Sequence, residues 1–143
     1  MKSKFSKIAK VRKQKRDAIE RELIKSQNKE KLLRHKIASL YEEIIAIQTP
    51  QNGTVSLLAL MNEHKRILNR DKKEQENALR IAEETSQKLQ SDYQKAHVEF
   101  EKIHYLEEQE ILAFMNKIKK QEQLDLDEIS TMLFANDMHK KGE

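Results

Sequence analysis

Gln48-Thr49-Pro50-Gln51-Asn52-Gly53-Thr54 is the one stretch of this chain in which proline and glycine occur together. Pro50 lacks a backbone donor and clashes with the preceding helical turn, and it drives Thr49 out of the α region. Asn52-Gly53 suits a turn, and Thr54 or Ser56 can cap a following helix. Elsewhere the sequence runs without punctuation. The spacing therefore predicts helix one over 4–48, a turn over 49–54, helix two over 55–135 and a fraying tail over 136–143, all in a single coiled-coil domain, 1–143.

Composition agrees. The 143 residues are 36% charged and 37% apolar, with two Gly, one Pro, no Cys and no Trp. So few breakers cannot punctuate a multi-strand fold, which sets aside all-β and α/β architectures. Without cysteine there is neither a disulfide framework nor a thiolate zinc site. No apolar run approaches the roughly 20 residues that cross a bilayer, and no signal-peptide core follows Met1. The chain reads as cytosolic, soluble and all-α.

The first helix carries a legible seam. Ile19, Leu23, Ser26, Glu30, Leu33, Ile37, Leu40, Ile44 and Ile47 follow one another in steps of four and three, the 3.5-residue period of a left-handed coiled coil. Upstream, Phe5, Ile8, Val11 and Ala18 read as one position out of phase, with Arg12 and Arg16 on the extrapolated seam, so the coil is expected to loosen or shift register there. The second helix shows Leu57, Met61, His64 and Leu68, then a wholly polar stretch over 69–77. Ala78, Ala82, Thr85, Leu89, Tyr93, Ala96, Phe100 and Ile103 resume the stripe, which moves on to Ile111, Phe114 and Ile118. Leu124, Leu126, Ile129, Met132, Leu133 and Phe134 close the apolar pattern.

Two helices joined by one short turn fold back as an antiparallel coiled-coil hairpin, the second helix longer than the first. At 1.5 Å per residue the arms would measure about 65 and 120 Å. A turn at 49–54 sets Phe5 opposite about residue 98 and leaves much of 100–135 overhanging, with Ile111, Phe114, Ile118, Leu133 and Phe134 unburied. A bend within 69–77 is the alternative geometry. A monomeric hairpin is expected, with a dimer that buries the overhang against itself as the other arrangement.

Charge is unevenly placed. Residues 1–36 hold 14 Lys/Arg against 4 Asp/Glu, a net of +10, and residues 37–143 hold 14 against 20, a net of −6. The basic arm admits several readings: a solvated helix end, one face of a hairpin meeting an acidic partner, a transit peptide, or a binder of nucleic acid or anionic lipid. Lysine dominates over arginine and the pattern runs unbroken into the next helix, which speaks against a transit peptide. Phe5 is the arm's one aromatic, so base stacking is poor, and no nucleic-acid module fits.

No constellation carries catalysis. His97, Glu101, His104 and Glu108 share one helical face, and Glu101-x-x-His104 matches half of a carboxylate di-metal motif. No second such pair exists, so this reads as an exposed Glu/His face. A phosphate-cradling glycine loop and a nucleophile–base pair are both missing. The reading is of a non-enzymatic protein without cofactor or metal.

The layout resembles the FliJ family of flagellar type III export proteins. The matching pieces are Phe5-Ser-Lys-Ile-Ala-Lys-Val-Arg-Lys13, the stretch Ile37-Ala-Ser-Leu-Tyr-Glu-Glu-Ile-Ile-Ala-Ile47 ahead of Gly53, and Glu122-Gln-Leu-Asp-Leu-Asp-Glu-Ile-Ser130. The family often carries several Tyr or Phe near its loop, where this chain has only Tyr41. The resemblance implies a two-helix coil similar to the central stalk (gamma) subunit of rotary ATP synthases. It would bind the hexameric export ATPase, promote its assembly and activity, and link it to the cytoplasmic domain of the export gate. A chaperone role and contact with export chaperones are also implied, as is a cytoplasmic place at the inner face of the inner membrane. Injectisome secretion stalks are close relatives of this reading. On this basis the ring contact is expected at paired termini: Phe5, Ile8, Val11, Arg12 and Arg16 with Leu126, Asp127, Glu128, Ile129 and Leu133. The gate contact is expected near the loop, at Leu40, Tyr41, Ile44, Leu57, Met61 and Leu68. A generic dimerising coiled coil and a basic-arm nucleic-acid or membrane binder are the alternatives.

Overall fold

A computed structural model describes residues 3–47 and 53–141 of the chain. It is all-α: helix α1 spans Ser6–Ala46, helix α2 spans Val55–Lys141, and the two pack against each other. Helix α2 is the longer, 87 residues against 41. Pro50 and Asn52 of the expected turn lie outside the described residues. Contacts divide the chain into two compact units, Gln14–His97 and Met1–Lys13 with Val98–Glu143.

Thr54, one of the two capping residues the sequence offers, immediately precedes α2 and caps it. Its Oγ1 accepts the Leu57 N–H at 3.2 Å and its carbonyl accepts the Leu58 N–H at 3.1 Å, satisfying donors that a helix start leaves open. The polar stretch 69–77 lies inside α2, which is helical without a break from Val55 to Lys141, so the alternative turn does not fall there. With no Gly or Pro before Gly142, the helix also continues through the segment expected to fray, as far as Lys141.

In the unit Gln14–His97 the helices are antiparallel. Arg16 meets His97, Ser26 meets Ser86, and Tyr41 meets Lys72. Leu23, Leu68, Ala82 and Ala96 are buried, while Ile19, Leu33, Ile37, Leu40, Ile44 and Ile47 are half-buried. The α1 seam is thus the one read from the steps of four and three. On α2 the buried and half-buried positions follow the same steps from Met61, but through Lys65, Lys72, Gln75, Leu79 and Ser86. His64 and Thr85, placed on the stripe by sequence, are exposed. Lys72 shows how a polar stretch stays on a seam. Its ammonium sits 5.0 Å from the Tyr41 ring centre and 3.7 Å from Glu76, while its methylene stem covers the coil.

In the other unit Ser3, Lys4 and Arg12 approach Glu110 and Glu99. Ala9 is buried and Phe5 half-buried. Two expectations are corrected here. The seam does not slip at its basic end: Phe5, Ala9, Arg12 and Arg16 continue the steps of four and three, and only Ile8, Val11 and Ala18 lie off it, exposed. Phe5 also does not face residue 98. With Ser3 bonded to Glu110 and Arg12 near Glu99, it lies opposite the stretch between those two glutamates.

Candidate functional site

Helix α1 begins with no acidic residue in its first turn, which leaves the positive end of its dipole without a carboxylate from its own sequence. Helix α2 supplies the missing carboxylate. Ser3 Oγ donates to Glu110 Oε2 at 3.1 Å and the Lys4 N–H donates to Glu110 Oε1 at 3.3 Å. Ser3 Oγ also accepts the Phe5 N–H at 3.1 Å, and its carbonyl accepts the Ser6 N–H at 3.1 Å. This cluster fixes where α1 starts along α2, and so where α2 loses its partner.

Beyond it, every described residue from Leu112 to His139 is exposed. Eleven large apolar side chains lie in that span, from Leu112 at 51% exposure to Met138 at 61%. Of the residues expected to bind a ring, Leu126, Ile129 and Leu133 are bare here, and Asp127 and Glu128 are exposed beside them. The Asp127 carboxylate accepts from Gln123 Nε2 at 3.1 Å. Ile8 and Val11 are exposed on α1, Phe5 is half-buried, and Arg12 lies 3.9 Å from Glu99. The two termini are not paired as expected. The start of α1 lies opposite Glu110, and Leu126 follows sixteen residues later on α2, about 24 Å along the helix.

Arg16 belongs to the unit Gln14–His97. Its guanidinium contacts Asp17 Oδ1 at 3.2 Å and His97 Nδ1 at 3.3 Å, which makes that ring nitrogen the acceptor. His97 stacks on Tyr93, while His104 stacks on Phe100 and pairs with Glu108 at 2.9 Å. The Glu/His face is thus occupied by neighbours along the helix and, at His97, by Arg16 of α1. Among the described residues no group of three or more His, Cys, Asp or Glu is arranged to hold a metal ion.

Near the loop the gate candidates separate. Leu68 is buried, and Leu40 and Ile44 are half-buried on the seam, so these three hold the coil together. Tyr41 is 52% exposed with Lys72 over its ring, and Leu57 is 42% exposed. Met61 lines a groove with Ala46, Ile47, Leu60 and His64. Sequence reasoning missed Ile45, Val55, Leu58 and Leu60, all exposed here. A signal for them was present: between Glu43 and Glu63 the chain has no charged residue at all.

The unit also contains a buried polar layer. Ser86 Oγ donates to Glu30 Oε2 at 2.8 Å, and the Ser26 and Ser86 hydroxyls are 2.6 Å apart. With the Ser86 proton on Glu30, Ser26 is the donor of that pair, and the Ala82 carbonyl lies 3.3 Å from it. Arg34 closes the layer, 3.5 Å from Glu30 and 3.2 Å from Glu83.

No described helix is long and apolar enough to cross a membrane. Comparison with curated proteins returns no match, and comparison with solved structures returns none either. The profile of the family described as Flagellar FliJ protein matches residues 1–139. That span covers α1, all but the last two residues of α2, and both exposed apolar regions, so the chain belongs to the FliJ family of flagellar export components.

Proposed function

We propose that the chain is a coiled-coil component that binds the ring of the export ATPase, supports its assembly and activity, and connects it to the cytoplasmic domain of the export gate. The observation that carries this reading is the bare end of α2, where eleven large apolar side chains have no covering element. An apolar surface of that extent on a highly charged chain is the mark of a protein interface. The ring contact is assigned to Leu126, Asp127, Glu128, Ile129 and Leu133, with Ile8, Val11, Arg12 and Arg16 on α1 as a second contact and Phe5 anchoring that end. The gate contact is assigned to Tyr41, Leu57 and Met61, with Leu40, Ile44 and Leu68 supporting them from the seam.

Stimulation of the purified export ATPase by the full chain tests the ring assignment. Ile129→Ala with Leu133→Ala is expected to reduce stimulation at least several-fold while helicity is unchanged; full stimulation would discard it. Charge reversal at Arg12 and Arg16 is expected to weaken stimulation as well. Tyr41→Ala with Met61→Ala is expected to impair export and leave ATPase stimulation intact; loss of both together would show that the two ends have been assigned the wrong way round.

A further inference from the structure

The repeat of α2 changes where its partner ends. Up to Glu110 the seam keeps steps of four and three. From Ile111 the stripe Ile111, Met115, Ile118, Glu122, Leu126, Ile129, Leu133 advances by 4, 3, 4, 4, 3 and 4, two blocks of eleven residues. An eleven-residue period is close to the natural pitch of the helix, so this stripe runs almost straight along it. The order of its steps is the same in both directions about Glu122. Charge is arranged the opposite way: Lys117, Lys119 and Lys120 precede Glu122, and Asp125, Asp127 and Glu128 follow it. Met115, Ile118, Leu126, Ile129 and Leu133 are between 42% and 62% exposed.

A surface that is symmetric in shape and antisymmetric in charge is complementary to itself under a two-fold rotation. With a second copy laid antiparallel and centred on Glu122, Ile111 falls opposite Leu133, Met115 opposite Ile129, and Ile118 opposite Leu126. On the helical wheel Lys117 then comes beside Asp125 of the second copy, and Lys119 beside its Asp127, each on one flank of the seam. A parallel pairing would set lysine on lysine and aspartate on aspartate.

We propose that two copies of this chain pair antiparallel through residues 111–133 of α2, with the two Glu122 side chains meeting on the two-fold axis. That pair is the single like-charged layer of the stripe, and it keeps the association weak and reversible. The self-pairing does not depend on the ring reading. Leu126, Asp127, Ile129 and Leu133 are common to both surfaces, however, so a paired copy cannot present them to another protein.

Sedimentation equilibrium of the full chain across the micromolar range tests this, with circular dichroism confirming that each variant stays helical. The wild-type mass is expected to rise from 16.9 kDa toward twice that value with concentration. Lys117→Glu with Lys119→Glu is expected to stay monomeric, as is Asp125→Lys with Asp127→Lys. An equal mixture of these two variants is expected to recover the dimer, and Glu122→Leu to tighten it by about tenfold. A wild-type chain that remains monomeric throughout would overturn the proposal. So would charge variants that associate as well as the wild type, a mixture no better than its components, or an unchanged affinity for Glu122→Leu.

Discussion

Glu30 and Ser86 occupy seam positions where an aliphatic side chain would pack better, and the chain hydrogen-bonds both. Glu30 is 8% exposed and Ser86 9%, and among the described residues no buried side-chain polar atom lacks a partner. Such a layer lowers stability relative to a hydrophobic one and fixes which residues face each other. Ser86→Ala is expected to cost about 1 kcal/mol, because Glu30 loses a donor. Glu30→Leu combined with Ser86→Ala leaves Ser26 the Ala82 carbonyl and Arg34 the Glu83 carboxylate. That double variant is expected to raise the unfolding free energy by about 1–3 kcal/mol, read from a urea titration. A second residue-scale prediction concerns Glu63. The hydrogen bond from Arg66, 2.9 Å from its Nε, holds the Glu63 carboxyl below the ordinary glutamate value, with the Arg66 charge adding to it. A depressed folded-state pKa contributes stability above the unfolded value, lost as pH falls through the folded one. Carboxyl-detected NMR should show Glu63 titrating below the ordinary glutamate value, and Arg66→Ala should return it to that value. Ser26 and Glu30 were legible as seam positions. Ser86 was not, since the neighbouring Thr85 fits a stripe drawn through Ala78 and Ala82.

At the scale of the helices, the steps of four and three in α1 located its contact face from Ile19 to Ile47, because apolar side chains mark that face in most turns. On α2 the same period was hidden: Lys65, Lys72 and Gln75 hold seam positions, and polar residues carry no hydrophobic signal. The difference between seam and bare end is measurable. Leu68→Ala is expected to cost about 2–4 kcal/mol, since it empties a packed site. At dilutions where the chain is monomeric, Leu124→Ala is expected to change stability by less than about 0.5 kcal/mol, because Leu124 is 55% exposed. Thr54→Ala is expected to cost about 1 kcal/mol and to speed amide exchange selectively at Leu57.

For the whole molecule, a basic first stretch and an acidic remainder describe the charge, and membership of the FliJ family places the chain among flagellar export components. The all-α fold, its two helices and their unequal lengths were legible because one proline–glycine segment stands between two uninterrupted periodic stretches. The register was not legible, because a turn located in sequence does not say how far the chain travels before pairing resumes. Ser3 and Glu110 set it, and no periodicity reports a hydrogen bond between residues so far apart. Register decides how much of α2 is left bare, and therefore which residues can hold another protein. The chain has no cysteine, so introduced pairs report on register directly. Ser26→Cys with Ser86→Cys, whose hydroxyls are 2.6 Å apart, is expected to close an intrachain disulfide in nearly every molecule under mild oxidation. Failure of that pair to close, with closure of Ser26→Cys and Asn77→Cys instead, would contradict the account and restore the register in which Phe5 faces residue 98.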